Sequence, residues 1–185
     1  MIRNKLLWKN SQQQYGVISK LIHWLSAVTI IALFALGYWM VDLDYYSEWY
    51  QLAPHWHESA GLLLLIVTLF RLVWRGIVIK PEAISSHSMF ERKASAIMIF
   101  LLYFVLLAVL VSGYLITSAD GKAIAVFDWF KVSAFVLFSE NQEDLAGAIH
   151  YYIAYTLIFF ALVHALAALK HHFIDKDETL KRIIK

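Results

Sequence analysis

Apolar residues in this chain run in long blocks rather than in short alternations. Four blocks reach the roughly 20 residues that a helix rising about 1.5 Å per residue needs to cross a bilayer. They cover residues 21–40, about 55–74, 94–117 and about 145–169. Pro54 and Pro81, the only prolines, sit at block boundaries, where a helix can start or stop. A further apolar stretch, 123–138, is interrupted by Asp128 and Lys131 and is too short to cross. It is expected to lie in the interface as a lid or short helix, anchored by Phe127, Trp129 and Phe130, within a longer segment spanning about 118–144. No repeat, linker or low-complexity tract breaks the chain, so one membrane domain is expected over 1–185. The pattern predicts an all-α integral membrane protein built as a four-transmembrane-helix bundle.

Composition agrees. Hydrophobic residues make up 61% of the 185 positions, where a soluble domain would be near half. A formal net charge of +2 leaves no footprint for nucleic acid. With no cysteine, disulfides, iron–sulfur ligation and thioether-attached haem are all excluded. No cleavable signal is expected, because the first block is too long for one and no small-residue cleavage site follows it.

Charge sets the expected orientation. Arg3, Lys5, Lys9 and Lys20 precede the first block, and Arg71, Arg75, Lys80, Arg92 and Lys93 flank the second connection. Lys170, Lys176, Lys181, Arg182 and Lys185 follow the fourth block. Fourteen basic residues thus lie on one side, against Lys122 and Lys131 on the other. By the positive-inside rule both termini are cytoplasmic.

Apart from His55 at the very edge of the second block, four of the eight histidines fall inside these blocks, where ionisable groups are expensive and usually functional. Their depths form two layers. His57 and His150 lie near the outer starts of the second and fourth helices. His23 lies near the inner start of the first, and His164 lies about 21 Å further in than His150. Fourteen residues at 100° each return to within about 40°, so His150 and His164 share a face. Each layer offers imidazoles from two helices, the arrangement of a bis-histidine haem. Gly147, Ala154, Ala161 and Ala168 recur every seven positions on the fourth helix, and Gly61 follows His57 by four. Small residues let a flat macrocycle or another helix approach the backbone. A lone intramembrane histidine is often only a hydrogen-bonded packing residue, but two matched layers favour ligation. Zinc suits separated pairs without cysteine or carboxylates poorly.

The remaining histidines carry less. His55 points away from His57 and is expected to cap the interface, and His87 is expected to be solvated in the 85–88 loop. His171 and His172 are read first as an interfacial anchor and second as a proton donor or quinone contact. Arg71 and Arg75, one turn apart, have two balanced readings: snorkelling to headgroups, or pairing with haem propionates.

The chain resembles the bacterial cytochrome b561 family. The likeness is carried by I-H-W-L at 22–25, H-E-S-A-G at 57–61, R-L-V-W-R at 71–75 and S-G-Y at 112–114. It continues in L-V-H-A-L-A-A-L-K-H-H-F at 162–173 and D-K-D-E-T-L-K-R at 175–182, so it covers nearly the whole chain. The resemblance implies a bacterial inner-membrane cytochrome with two haems b on His23, His57, His150 and His164. It also implies electron exchange with ubiquinone and, in some members, oxidation of periplasmic superoxide. Against easy steering of a small anion, nine acidic residues (Asp42, Asp44, Glu48, Glu58, Asp120, Asp128, Glu140, Glu143 and Asp144) occupy the outer side. Two functions follow as expectations. The first is an oxidoreductase linking a periplasmic donor or superoxide to membrane quinone. The second is a non-catalytic cytochrome subunit docked on a basic periplasmic redox protein. A haem-free structural or transport protein is disfavoured by the histidine layers.

Overall fold

In lipid every backbone amide must be satisfied within its own segment, which drives long apolar stretches into helix. The computed structural model describes residues 7–135 and 141–185. Helices α1 (Val17–Met40), α2 (Leu52–Ile77), α3 (Met89–Thr117) and α4 (Gln142–Phe173) are each long and apolar enough to span a membrane. A short α5 (Lys181–Ile184) closes the tail. The spans extend past the apolar blocks because their polar end turns are also helical. At the start of α3, Ser88 and Glu91 form a reciprocal capping box. On α4, Glu143 and Asp144 lie in the first turn and Lys170 in the last, each sign suiting the helix dipole there.

Packing follows the up-and-down order: α1 against α2, α2 against α3, and most extensively α3 against α4, whereas α1 and α4 barely touch. The common core is small, built from Leu64, Val105, Leu106, Val109, Leu110 and Leu157. Leu21, Ile31, Phe100, Phe104, Phe159 and Leu166 all point outward and exposed. So much outward apolar surface has a solvent only in a bilayer.

One end of the bundle carries both termini. Asn10 Nδ2 donates to the Ile79 carbonyl (3.0 Å), and the Glu82 amide donates to the Gln12 carbonyl (2.9 Å). Arg182 reaches the Glu82 carbonyl (2.7 Å), and Trp24 Nε1 the Ile183 carbonyl (3.1 Å). The N-terminal tail, the α2–α3 connection and the C-terminal tail are thereby interlocked. A side chain at Gly16 would meet the Lys9 backbone at 2.4 Å, so only glycine fits this crossing.

At the other end, the 118–144 segment contains no short helix among its described residues. Strands β1 (Ile124–Val126) and β2 (Phe130–Val132) pair antiparallel instead. Phe127 and Asp128 both take left-handed φ (43° and 60°) in the turn, which the Trp129 amide closes onto the Val126 carbonyl at 2.8 Å. Two successive positive φ values match the twist of a hairpin. Ser59, fully buried on α2, accepts from the Phe127 amide (3.0 Å) and donates to the Ala125 carbonyl (3.4 Å). Tyr114 Oη donates to the Ser133 carbonyl and accepts from the Phe135 amide, both at 2.9 Å. The hairpin is therefore pinned across α2 and α3 as a lid. Arg3, Lys5 and Glu140 of the charge balance, and residues 136–138 of the interfacial stretch, lie outside the described residues.

Candidate functional site

Beneath the hairpin, where α1 and α4 stand apart, all four helices line a cavity of about 570 Å³. That size is ordinary for a small-molecule or cofactor site. His57 and His150 both face it, with ring centroids 6.1 Å apart and planes at 74°. Metal–nitrogen bonds of about 2.0 Å on opposite sides of one ion would set two imidazole centroids about 6 Å apart. His150 Nδ1 lies 2.9 Å from the Val109 carbonyl, which can only accept. Nδ1 therefore carries the proton, and the Nε2 lone pair is left to ligate. Ser112 Oγ, which donates to the same carbonyl at 3.0 Å, steadies the ring from 3.2 Å. On the opposite wall His57 Nδ1 is buried without a well-formed hydrogen bond, with the Leu33 carbonyl as the acceptor beside it.

Glycine makes room for both rings and for whatever lies between them. A Cβ at Gly37 would stand 3.0 Å from His57 Cε1, and one at Gly113 would stand 3.1 Å from His150 Cε1. Both imidazoles thus rest directly on helix backbone. At Gly61 and Gly147 a Cβ would meet nothing within 4 Å, because these two face the open cavity. The small residues singled out from spacing are space-makers, whereas Gly37 and Gly113 are seats. The seats were missed in the sequence because each lies on a different helix from the histidine it supports. Glu58, Asp42 and Thr117 add polar groups to the cavity lining. Two imidazoles from facing helices, a flat-walled apolar space and a histidine held in the ligating tautomer fit a haem.

The second pair lies towards the terminal end. His23 on α1 and His164 on α4 are close enough to interact electrostatically, and Arg71 acts on both. Arg71 Nη2 donates to His23 Nδ1 at 2.9 Å, and its guanidinium stacks 5.3 Å from the Tyr103 ring centroid. Arg71 is thus turned inward, towards His23 and Tyr103. Arg75 is exposed, and its guanidinium lies 5.7 Å from the centroid of the same Tyr103 ring. Because guanidinium only donates, His23 accepts at Nδ1, and its Nε2 carries the proton. His23 would become a ligand through Nε2 once Arg71 releases Nδ1, for instance to a carboxylate of the incoming group. The residues fit a second haem on that condition.

Of the other histidines, His55 contacts the Phe127 ring at 6.3 Å, under the hairpin. The expectation that His87 is solvated is corrected. Its Nε2 lies 2.8 Å from Asp177 Oδ2, its side chain is only 17% exposed, and its ring packs on that of His171. The tail folds back over the loop, which the sequence does not announce because the partners are ninety residues apart.

The sequence profile of prokaryotic cytochrome b561 matches residues 14–185. The chain is 46% identical over 175 residues to cytochrome b561 homolog 2 of Escherichia coli (strain K12), covering 95% of this chain and 93% of that one. It is 29% identical over 167 residues to cytochrome b561 homolog 1 of the same organism, covering 88% and 92%. A third relative, the probable superoxide oxidase CybB of Yersinia pestis, is 24% identical over 180 residues, covering 93% and 96%.

Proposed function

The chain belongs to the prokaryotic cytochrome b561 family of multi-pass, haem b-carrying electron-transfer proteins, and from that premise we propose that it links a periplasmic donor to membrane ubiquinone through two haems. The observation that carries this reading is the His57–His150 pair across a glycine-walled cavity of about 570 Å³. His57 and His150 would hold one haem b, and His23 and His164 the other, with Arg71 free to take a propionate. Held by these residues, haem would supply one-electron transfer.

The chain's own residues do the rest. Gly37 and Gly113 seat the two outer rings, and Val109 and Ser112 fix the proton of His150 on Nδ1. The hairpin, tied down by Ser59 and Tyr114, covers one end of that cavity. At the terminal end a second cavity of about 540 Å³, lined by Tyr15, Lys20, Trp24 and Lys185 among others, is where we place the quinone head group. The basic terminal end faces the cytoplasm, and the membrane is the bacterial inner membrane.

Superoxide is the small-molecule donor suggested by the relative described as a probable superoxide oxidase. A second reading, a cytochrome subunit docked on a basic periplasmic protein, is favoured by the acidic outer connections and by the exposed aromatic loop of Tyr45, Tyr46 and Trp49. Haem quantitation with a dithionite-reduced difference spectrum tests the cofactors. Two haems b per chain are expected, and one or none refutes the dihaem reading. Reduction of a soluble ubiquinone analogue by superoxide, with the purified chain alone, separates the two functions. Turnover supports the oxidase, and its absence supports the docked subunit.

A further inference from the structure

At the terminal end, three separate segments bring ligand-type atoms together. His87 comes from the α2–α3 connection, His171 from the last turn of α4, and Asp177 from the tail. One ligand atom from each lies within 4.8 Å of the other two. His87 Nε2 is 2.8 Å from Asp177 Oδ2, and His171 Nδ1 is 3.2 Å from the same oxygen. Asp175 Oδ2 lies 2.8 Å from His171 Nδ1. We propose that His87, His171 and Asp177, with water completing the shell, form a site for a divalent transition-metal cation of the zinc class.

Tetrahedral zinc with bonds of about 2.0–2.2 Å holds its ligand atoms about 3.3 Å from one another. The 2.8 and 3.2 Å separations here need shifts of half an ångström or less to reach that value. Two imidazoles on one tetrahedral ion also place their ring centroids about 5 Å apart. The His87 and His171 rings stand at 4.6 Å, tilted by 33°.

A second observation points to a ligand. His171 Nδ1 is buried and makes no hydrogen bond, although two carboxylate oxygens lie within 3.2 Å of it. The distances are short but the angles are wrong for N–H donation. A cation on the in-plane lone pair of Nδ1 can bond Asp177 as well, without the carboxylate oxygen itself having to lie on that axis.

Charge completes the argument. Glu91, Asp175 and Asp177 contribute three carboxylates, and Lys170, at 3.3 Å from Glu91 and 2.7 Å from Asp175, contributes one ammonium. Arg92, which donates to the carbonyls of Ile84, Ser85 and His87, adds a second positive charge beside the cluster. With neutral histidines one net negative charge remains, which favours a cation. Burial works against the charge of Asp177. The Thr179 hydroxyl and amide and His87 overcome it, holding this carboxyl well below the usual range and ready to ligate. Paired histidines and carboxylates are a donor set suited to zinc or iron(II). The ion would bolt the α2–α3 connection to the tail, closing the terminal end.

The test uses the full-length protein as purified from membranes, with its prosthetic groups in place, stripped of loose metal by a chelator. Zinc chloride is titrated calorimetrically, and bound metal is examined by X-ray absorption. The expected result is one zinc per chain in a four-coordinate nitrogen–oxygen shell. Affinity should fall at least tenfold in both His87→Ala and Asp177→Asn but stay unchanged in His55→Ala at the far end. His171→Gln serves as a second ligand variant should His87→Ala elute as aggregate. No stoichiometric binding, or an affinity that moves equally in all variants, overturns the site and leaves an ion-pair staple.

Discussion

Replacing Gly147 or Gly61 by leucine separates a cavity built for a flat group from a packing defect. Neither glycine has any atom within 4 Å of the position its Cβ would take. In the protein without haem, leucine should therefore fit, and it should strengthen the helix by somewhat less than the roughly 0.8–1 kcal/mol that separates alanine from glycine. With haem present, the same isobutyl group enters space that the macrocycle needs. Overpacking of that kind costs about 1–3 kcal/mol, which is an affinity loss of about 5- to 150-fold. Gly76 is the control, because it too has nothing within 4 Å but lies outside the cavity lining. Haem is titrated spectroscopically into the haem-depleted variants, and their thermal unfolding is followed in parallel. The expected pattern is unimpaired stability with weakened outer-haem binding for Gly147→Leu and Gly61→Leu, and neither change in binding for Gly76→Leu. Full outer-haem affinity in Gly147→Leu would refute the view that this cavity holds the macrocycle.

The pairing has its own test. His57→Ala and His150→Ala should each abolish one haem component, and His23→Ala and His164→Ala the other. A swap of partners between the sets in the difference spectra would sink the two-layer assignment. Arg71→Met removes a positive charge beside His23 and His164, so it should lower the midpoint potential of that haem by roughly 50–100 mV at an effective dielectric near 20. Potentiometric titration should show the other haem unmoved, and the exposed Arg75→Met should do less. Reporter fusions after Lys185 should read cytoplasmic and those in the 118–135 connection periplasmic. A periplasmic C-terminus would invert the proposed orientation.

The four helices were legible because the bilayer leaves an apolar stretch of that length one choice. The histidine depths were legible for the same reason, since rise per residue converts chain position to height. Contacts across helices were not. Gly37 and Gly113 read as unremarkable until the imidazoles of His57 and His150 are seen resting on them. The hairpin escaped notice because its turn is Phe127–Asp128 rather than Asn-Gly or Asp-Gly, so two residues with side chains take the positive φ that glycine usually supplies. Ser59 fixes that turn from α2, sixty-eight residues away from Phe127. His87 misled for a comparable reason: a short run of serines around a histidine looks solvated until the tail covers it.

These local findings combine into a direction for the electron. Glu58 and Asp42 line the hairpin-end cavity, and the connections around it are rich in acid. At the terminal end Arg71 touches His23 and acts on His164, and Arg75 shares Tyr103 with it. A negative surround stabilises the oxidised, more positive form of an iron centre, and a positive surround stabilises the reduced form. The Coulomb field of the chain's own side chains therefore makes the terminal-end site the better electron acceptor. The spacing of His150 and His164 sets the length of the step at about 21 Å along one helix. In the proposed dihaem protein, Arg71 and Arg75 would thus make transfer from the acidic end to the basic end downhill.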